Sequence, residues 1–403
     1  MSATVSTASP ATAPAEIDRR GITMLAAGHL IIDASTGAVP AMLPIFTAIY
    51  ALSDLAASMI LGASLLVSSA IQPLFGLLAD RRATPVFLWG GVAVAAGGLA
   101  FAGVAGGYLG ILACVVGSGL GIAAFHPEAA RVANRISGDR PTTGLAWFML
   151  GGNVGFALGP LLVALAIPFL DARATLVFLV PGTVVSLWLF RDRQRLAVAV
   201  SVPSHDLPPP PRASLWAVGL LMVVTSMRTW TQFGLLALVP LLLVDDRGFS
   251  DQQAGFAVVA FSGAGAAGTI AGAGLANRVG GRHMLMWTMP IAAPLVAAFL
   301  LTDGWVSIAA FSAAGLVLMA SFAVTVSMGQ EYLPGRLALA AGLMIGFGAI
   351  GSAPIGLAIF GAIADTAGRE AAIWGLALLP LAGAALAALL PDARRLRAQM
   401  MAA

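Results

Sequence analysis

His29 and Asp33 stand four residues apart in the apolar stretch GHLIIDASTGAVPAMLP. On a helix that spacing puts both on one face. Asp33 lies about 11 residues into the run, roughly 16 Å deep at 1.5 Å per residue. A carboxylate so far from water is costly unless it does something, and one that takes up and gives back a proton suits proton-coupled movement across a membrane. In a later apolar stretch, VVTSMRTWTQFGLLALVP, Arg228 sits at similar depth with Gln232 one turn on. A guanidinium stays charged, so it must meet an anion, a wet cavity or an acidic partner. The expectation is that Asp33 and Arg228 face one cavity from opposite sides. Arg228 then binds an anionic group of a substrate, or pairs with Asp33 until substrate or proton breaks the pair. A permanent structural pair is the plain alternative.

Residues 125 to 160, FHPEAARVANRISGDRPTTGLAWFMLGGNVGFALGP, pack ionisable groups and glycines beside apolar runs. Counting along the helix puts His126, Glu128 and Arg131 near the end of a span, away from mid-depth, where they suit a gate or a proton relay. Arg131 follows Glu128 by three residues, so the two can pair within the helix. Glu331 and Arg336 invite the same reading later in the chain. Gly151, Gly155 and Gly159 share one helix face and permit close contact with a neighbour, and Pro160 removes a backbone donor behind them. Asn153 falls near mid-depth and Gln72 near a span end; both are candidate cavity-lining groups.

These residues need long apolar helices to hold them. The chain has 403 residues, of which 59% are hydrophobic and only 10% charged. Soluble domains carry about 25% charged residues, so the composition indicates an all-α polytopic membrane protein. About 20 residues per crossing leaves room for roughly twelve spans. They are expected at 22–48, 55–79, 84–103, 107–130, 142–166, 173–190, 214–243, 252–276, 281–301, 305–331, 337–363 and 370–390. Loops on the N-terminal side hold 17 of the 21 arginines, and this bias places both termini in the cytoplasm. Residues 1–20 read as a disordered cytoplasmic tail and 392–403 as a second one. Residues 191–213 carry four consecutive prolines and read as a semi-rigid cytoplasmic linker between six-helix units at 21–190 and 214–391. The high pI is no sign of nucleic-acid binding, because the basic residues are spread between spans. One cysteine, Cys114, leaves no disulfide or thiol metal site to build.

The two halves echo one another. GLLADRR at 76–82, with Asp80 and Arg81, is matched by AGLANRVGGR at 273–282, and the turns holding Glu128 and Glu331 both precede glycine-rich helices. GLLADRR resembles the loop after span 2 of major facilitator transporters, where the acid and arginine close the cytoplasmic side. GGNVGFALGP is similar to the span 5 motif of proton-driven antiporters in that superfamily. FHPEAARVANRISGDR, GHLIID and QEYLPGRLALAAGLMIGFG together resemble its fosmidomycin-resistance branch, over about residues 22 to 390. The Ala-Thr-Pro-Val at 83–86 and Leu337-Ala338 depart from the usual pattern.

The resemblance implies two six-helix pseudo-repeats in the major facilitator fold, acting as a monomer in the bacterial inner membrane. It implies a proton-coupled efflux antiporter for small compounds, anionic ones included, that works by alternating access. The proton gradient takes the place of a cofactor. An uptake symporter for an organic acid or sugar is the competing transport reading. A membrane receptor or scaffold would not need the mid-membrane charges, and an ATP-driven pump would need a GxxxxGK[ST] loop that the chain lacks. No enzymatic chemistry is expected.

Overall fold

A computed structural model describes residues 16–81, 84–138, 141–197, 212–333, 340 and 342–391. Among them every regular element is helical. In the first half, α1 spans Arg19–Tyr50, α2 Asp54–Ala70, α3 Gln72–Arg81, α4 Val86–Ala102, α5 Tyr108–Arg135, α6 Pro141–Leu170 and α7 Leu179–Arg191. In the second half, α8 spans Arg212–Leu241, α9 Asp251–Val279, α10 Gly281–Leu301, α11 Gly304–Ala320, α12 Phe322–Tyr332, α13 Ala353–Ala367 and α14 Arg369–Ala387. A wider, π-type turn occupies Gly342–Gly351 ahead of α13.

Helix boundaries follow local chemistry. The Ser53 hydroxyl accepts from the Ala56 N–H at the start of α2, and Ser250 forms a reciprocal capping box with Gln253 at the start of α9; both satisfy backbone donors that a helix start leaves free. Gly368, at φ +91°, ends α13 and lets α14 begin one residue later, a backbone state that a side chain would strain.

Nine helices among the described residues are long and apolar enough to cross a membrane. One of these runs, Trp147–Arg191, has 45 residues. At 1.5 Å per residue that is about 68 Å, twice a bilayer core of about 30 Å. A 3-10 segment at Asp171–Phe178, with Asp171 at φ +51°, breaks it into α6 and α7. Val86–Ala102 and Ala353–Ala367 are apolar but shorter than a full span. The twelve expected segments thus each hold a helix, although not each has the length of a crossing. Large apolar side chains face outward, Phe169 being 85% and Leu109 79% exposed, as lipid contact requires.

Buried apolar side chains form three groups, and their membership shows how the halves meet. One group mixes both halves, joining Met42, Phe46 and Leu61 to Leu238, Phe261 and Leu357. A second draws only on the first half, from Ile22 to Leu196, and a third only on the second, from Ala217 to Leu390. The shared core lies at the end of the bundle that carries the α1–α2 and α13–α14 turns; we call it the far end. The separate cores lie at the end that carries the start of α1 and the end of α14, the terminal end. The halves are therefore joined at the far end and have independent cores at the terminal end.

The terminal end of each half is tied internally. Asp18 pairs with Arg195 at 2.6 Å and Arg20 with Asp192 at 2.6 Å. Partial burial raises the Asp18 pKa, but hydrogen bonds from Arg195 and the Gly21 N–H outweigh it and hold the carboxyl below its ordinary value. In the second half the Tyr332 hydroxyl donates to the Pro391 carbonyl.

The glycine face of α6 lies against α1. A Cβ on Gly151, Gly155 or Gly159 would collide with the carbonyls of Ala26, Leu30 and Ala34 in turn, one α1 turn per glycine. The contact is backbone on backbone, so it cannot be relieved by a rotamer change. Gly159→Leu is expected to cost about 1–3 kcal/mol of stability through overpacking, seen as a lower thermal midpoint of the detergent-purified protein. An unchanged midpoint would contradict this packing.

Candidate functional site

Asp33 sits between two histidines. His29 Nε2 lies 3.2 Å from Asp33 Oδ2, and His126 Nε2 lies 3.3 Å from Asp33 Oδ1. Four-residue spacing on α1 aligns His29 with Asp33, and α5 brings His126 from across the bundle. The His29 ring stacks on Phe148 at 4.2 Å and meets the His126 ring edge-on at 5.0 Å. His29 is buried, whereas the side chains of Asp33 and His126 keep 25% and 22% of their surface open.

The tautomer of His29 follows from one hydrogen bond. Its Nδ1 is 2.9 Å from the Phe148 carbonyl oxygen. A carbonyl only accepts, so Nδ1 carries a hydrogen and donates. In a neutral ring Nε2 is then a bare lone pair, facing a carboxylate oxygen at 3.2 Å. Two lone pairs repel at that distance, so the contact calls for a positive charge between them, which a proton on the imidazole or the carboxyl supplies, as would a bound cation. Ligand atoms of His29, Asp33 and His126 also lie within 4.8 Å of one another, close enough for the three to hold a cation between them.

Helix α6 closes the site from the side. A Cβ on Gly152 would fall 2.5 Å from His29 Nε2 and 2.6 Å from Asp33 Oδ2. Gly152 and the Phe148 carbonyl therefore set the space and the tautomer. Neither stands out in the sequence as an ionisable group would. The available signal was their four-residue spacing on α6, which puts the ring and the gap on one face.

His126 was expected near the span end, and the structure brings its side chain to Asp33. Helical side chains lean toward their own helix N-terminus. α1 and α5 run in opposite directions, so Asp33 leans toward the terminal end and His126 toward the far end. The two side chains meet between the helices.

Glu128 does not join the His29–Asp33–His126 group among the described residues. It is fully buried and paired with Arg131 through contacts of 2.9 and 2.8 Å. Its Oε1 also accepts from the Thr84 N–H at 3.1 Å, fastening the segment before α4 to α5. The expected intrahelical pair is present, and it acts as a clamp within the first half.

Arg228 is only 1% exposed. Its Nη1 donates to Gln232 Oε1 at 2.8 Å and its Nη2 to Thr229 Oγ1 at 3.0 Å, with Met319 Sδ 3.6 Å from Nη1. The guanidinium also lies 5.4 Å from the Phe322 ring centroid. The pair with Asp33 considered from the sequence is absent among the described residues. Each group is held inside its own half, and Arg228 does not line an open cavity in this conformation. No carboxylate lies within ion-pair distance of it among the described residues, so its acceptors are neutral.

Asp33 and Arg228 each fall where their own half's core gives way to the joint core. Asp33 falls between Ile32, in the first half's own core, and Ala34, in the joint core. Arg228 falls between Val224, in the second half's own core, and Phe233, in the joint core. Both stand where the joined halves divide. Asn153 and Gln72 are half-buried on α6 and α3, and Glu331 is half-buried at the end of α12. Pro160 is buried behind the glycine face. The side chains of Asp80 and Arg81, and the whole of Arg336, lie outside the described residues.

The comparisons with known proteins agree with this architecture. A family model described as Major Facilitator Superfamily matches residues 25–353. The uncharacterized MFS-type transporter YfnC of Bacillus subtilis (strain 168) is 30% identical over 378 residues, 92% of each chain. The fosmidomycin resistance protein of Escherichia coli (strain K12) is 29% identical over 374 residues, 91% of each chain. In fold, the chain is similar to a peptide transporter solved in complex with sulfate, with a TM-score of 0.78, 16% identity, and 95% and 98% of the two chains covered. It is also similar to a bacterial homolog of the human lysosomal transporter Spinster, inward-facing and unoccupied, with a TM-score of 0.75, 16% identity, and 94% and 97% covered. The chain belongs to the Major Facilitator Superfamily and is a multi-pass membrane transporter, not an enzyme.

Proposed function

We propose that this transporter expels small anionic compounds from the bacterial cytoplasm in exchange for protons, through alternating access of a site between its halves. The observation that carries the reading is the His29–Asp33 contact, whose fixed tautomer calls for a positive charge, such as a proton, where the two halves divide. His126 offers that proton a second partner, on the more exposed side of Asp33. Arg228 supports an anionic cargo: a buried cation with only neutral acceptors is improved by a carboxylate or phosphonate brought to it. The 29% identity with a fosmidomycin resistance protein favours export over uptake. The arginine distribution puts the terminal end in the cytoplasm, so the conformation with separate terminal cores is the one that takes up cargo from inside.

In the proposed cycle the site binds a proton when open to the outside. Reorientation exposes Asp33 to the cytoplasmic cleft, where arriving cargo displaces the proton. The reverse swing carries cargo outward. Everted vesicles test this directly. A panel of anionic compounds that includes fosmidomycin is added after a pH gradient has formed, and at least one compound is expected to discharge it. If the panel leaves the gradient intact and right-side-out cells instead accumulate an organic acid or a sugar with protons, the carrier is an uptake symporter.

Gly152→Ala is a milder probe of the same site. The new methyl has to push Asp33 and His29 apart, and misplacement of about 1 Å can cost on the order of 10²-fold in a positioned reaction. Gradient discharge is expected to fall by at least about tenfold with normal amounts of protein in the membrane. Full discharge by Gly152→Ala would show that the contact is dispensable.

A further inference from the structure

The far end holds a cluster of charges that the proposed transport site does not use. Arg369, at the start of α14, binds Asp54 through Nε at 2.9 Å and Nη2 at 2.8 Å. Nη2 also reaches Asp245 at 2.8 Å, and Nη1 reaches Asp246 at 2.9 Å. All three guanidinium nitrogens are engaged. Asp245 and Asp246 belong to the same half as Arg369, and Asp54 belongs to the other half. A second link crosses the same gap: Asp365 of α13 accepts from the backbone N–H groups of Asp54 at 2.6 Å and Leu55 at 3.3 Å. The first turn of α2 is thus capped by a carboxylate from the opposite half. One turn further on, Ser58 is fully buried against Gly361 of α13.

We propose that Arg369 is the bolt of a latch that holds the far ends of the two halves shut and must release in every transport cycle. Three carboxylates bind this one guanidinium, Asp54, Asp245 and Asp246, and a fourth, Asp365, caps α2 at Asp54 beside them. With Arg369 in place the cluster draws the halves together. Without it, Asp54 faces three like charges from the other half, and the same groups push the halves apart. Asp245 and Asp246 aim the guanidinium, and the side chain of Arg369 stays 16% exposed, so water can reach the cluster and compete for its bonds. The terminal end has no matching link between halves among the described residues. The ion pairs Arg20–Asp192, Arg195–Asp18 and Arg131–Glu128 each stay inside the first half.

The latch rests on the alternating-access part of the proposed function, and its test needs no cargo and no proton gradient. A failure here therefore leaves the assignment of Asp33 standing. Ser58→Cys is introduced in a Cys114→Ser background, and the purified full-length protein is placed in lipid nanodiscs. Its labelling by a water-soluble, membrane-impermeant maleimide reports how often the far end opens. Arg369→Gln is expected to speed labelling by about tenfold, the factor that about 1.4 kcal/mol in the opening equilibrium produces. Asp54→Asn is expected to speed it less, because that change also removes a repelling charge. Glu370→Gln, an exposed neighbour outside the cluster, is expected to leave the rate unchanged. The double variant Arg369→Gln/Asp54→Asn is expected to label more slowly than Arg369→Gln alone, a rescue that misfolding would not give. Equal rates for Arg369→Gln and Glu370→Gln, or no rescue in the double variant, would overturn the latch.

Discussion

Asp33→Asn is expected to reduce proton-coupled transport to the background of empty vesicles while leaving the fold intact. The carboxamide is nearly isosteric with the carboxyl, and its N–H can donate to the lone pair on His29 Nε2. That bond replaces the shared proton by a fixed one. The tautomer held by the Phe148 carbonyl is then satisfied permanently, and the His29 contact no longer has a proton to exchange. Retained hydrogen bonds should keep the thermal midpoint close to that of the unaltered protein, since a net protein hydrogen bond contributes only about 1 kcal/mol. Exchange of labelled cargo across the membrane without a gradient is expected to persist, because it needs reorientation and not proton transfer. Coupled transport by Asp33→Asn at the unaltered rate would remove Asp33 from the mechanism. A large fall in thermal midpoint would instead mark it as a structural group.

Arg228→Gln separates cargo binding from structure by magnitude. Removing one member of a buried ion pair typically costs about 3–5 kcal/mol, because the other charge is left alone. No carboxylate faces Arg228 among the described residues. Its removal leaves only the neutral oxygens of Gln232 and Thr229, and the new carboxamide can donate to one of them. The expected loss of stability is below about 2 kcal/mol, against loss of transport for anionic compounds. Arg228→Lys keeps the charge and loses the planar fork, so it should retain part of the activity for a small anion and less for a bidentate one. A drop of the size expected for a broken ion pair, with transport retained, would make Arg228 a structural cation.

The sequence carries much of this arrangement, and the parts it hides have identifiable causes. The pairing of His29 with Asp33 is a matter of four-residue spacing on one helix, so it is legible without coordinates. The Glu128–Arg131 pair and the contact face of Gly151, Gly155 and Gly159 are legible for the same reason. The contact of His126 with Asp33 is hidden in the sequence because residue counting follows position along each helix, while side chains on antiparallel helices lean toward each other. The direction in which Arg228 points depends on the rotation of α8 about its axis. Charge alone gives no such rotation, and the guanidinium turns to Gln232, Thr229 and Met319 inside its own half.

Gly152 was obscured by its neighbours. Three glycines at four-residue spacing explain packing well enough that a fourth, one residue off the pattern, draws no attention. Its role appears only when His29 and Asp33 are placed beside it. The far-end cluster joins residues more than 300 positions apart, Asp54 with Asp365 and Arg369. Spacing along one helix carries no signal for such a contact, because the partners sit on different helices in opposite halves. The division into one joint core and two separate ones is likewise a property of packing. Every helix concerned is apolar on several sides, so its hydrophobic pattern does not single out the face that meets the other half.

Proton release by the purified protein decides whether cargo and proton exchange at Asp33. The transporter is held in detergent in weak buffer with a pH-indicating dye, and the compound that discharges the vesicle gradient is added. The unaltered protein is expected to release a proton as cargo binds, and Asp33→Asn to bind the same compound with no release. Equal proton release from both proteins would contradict this and move the exchanging proton away from His29, Asp33 and His126.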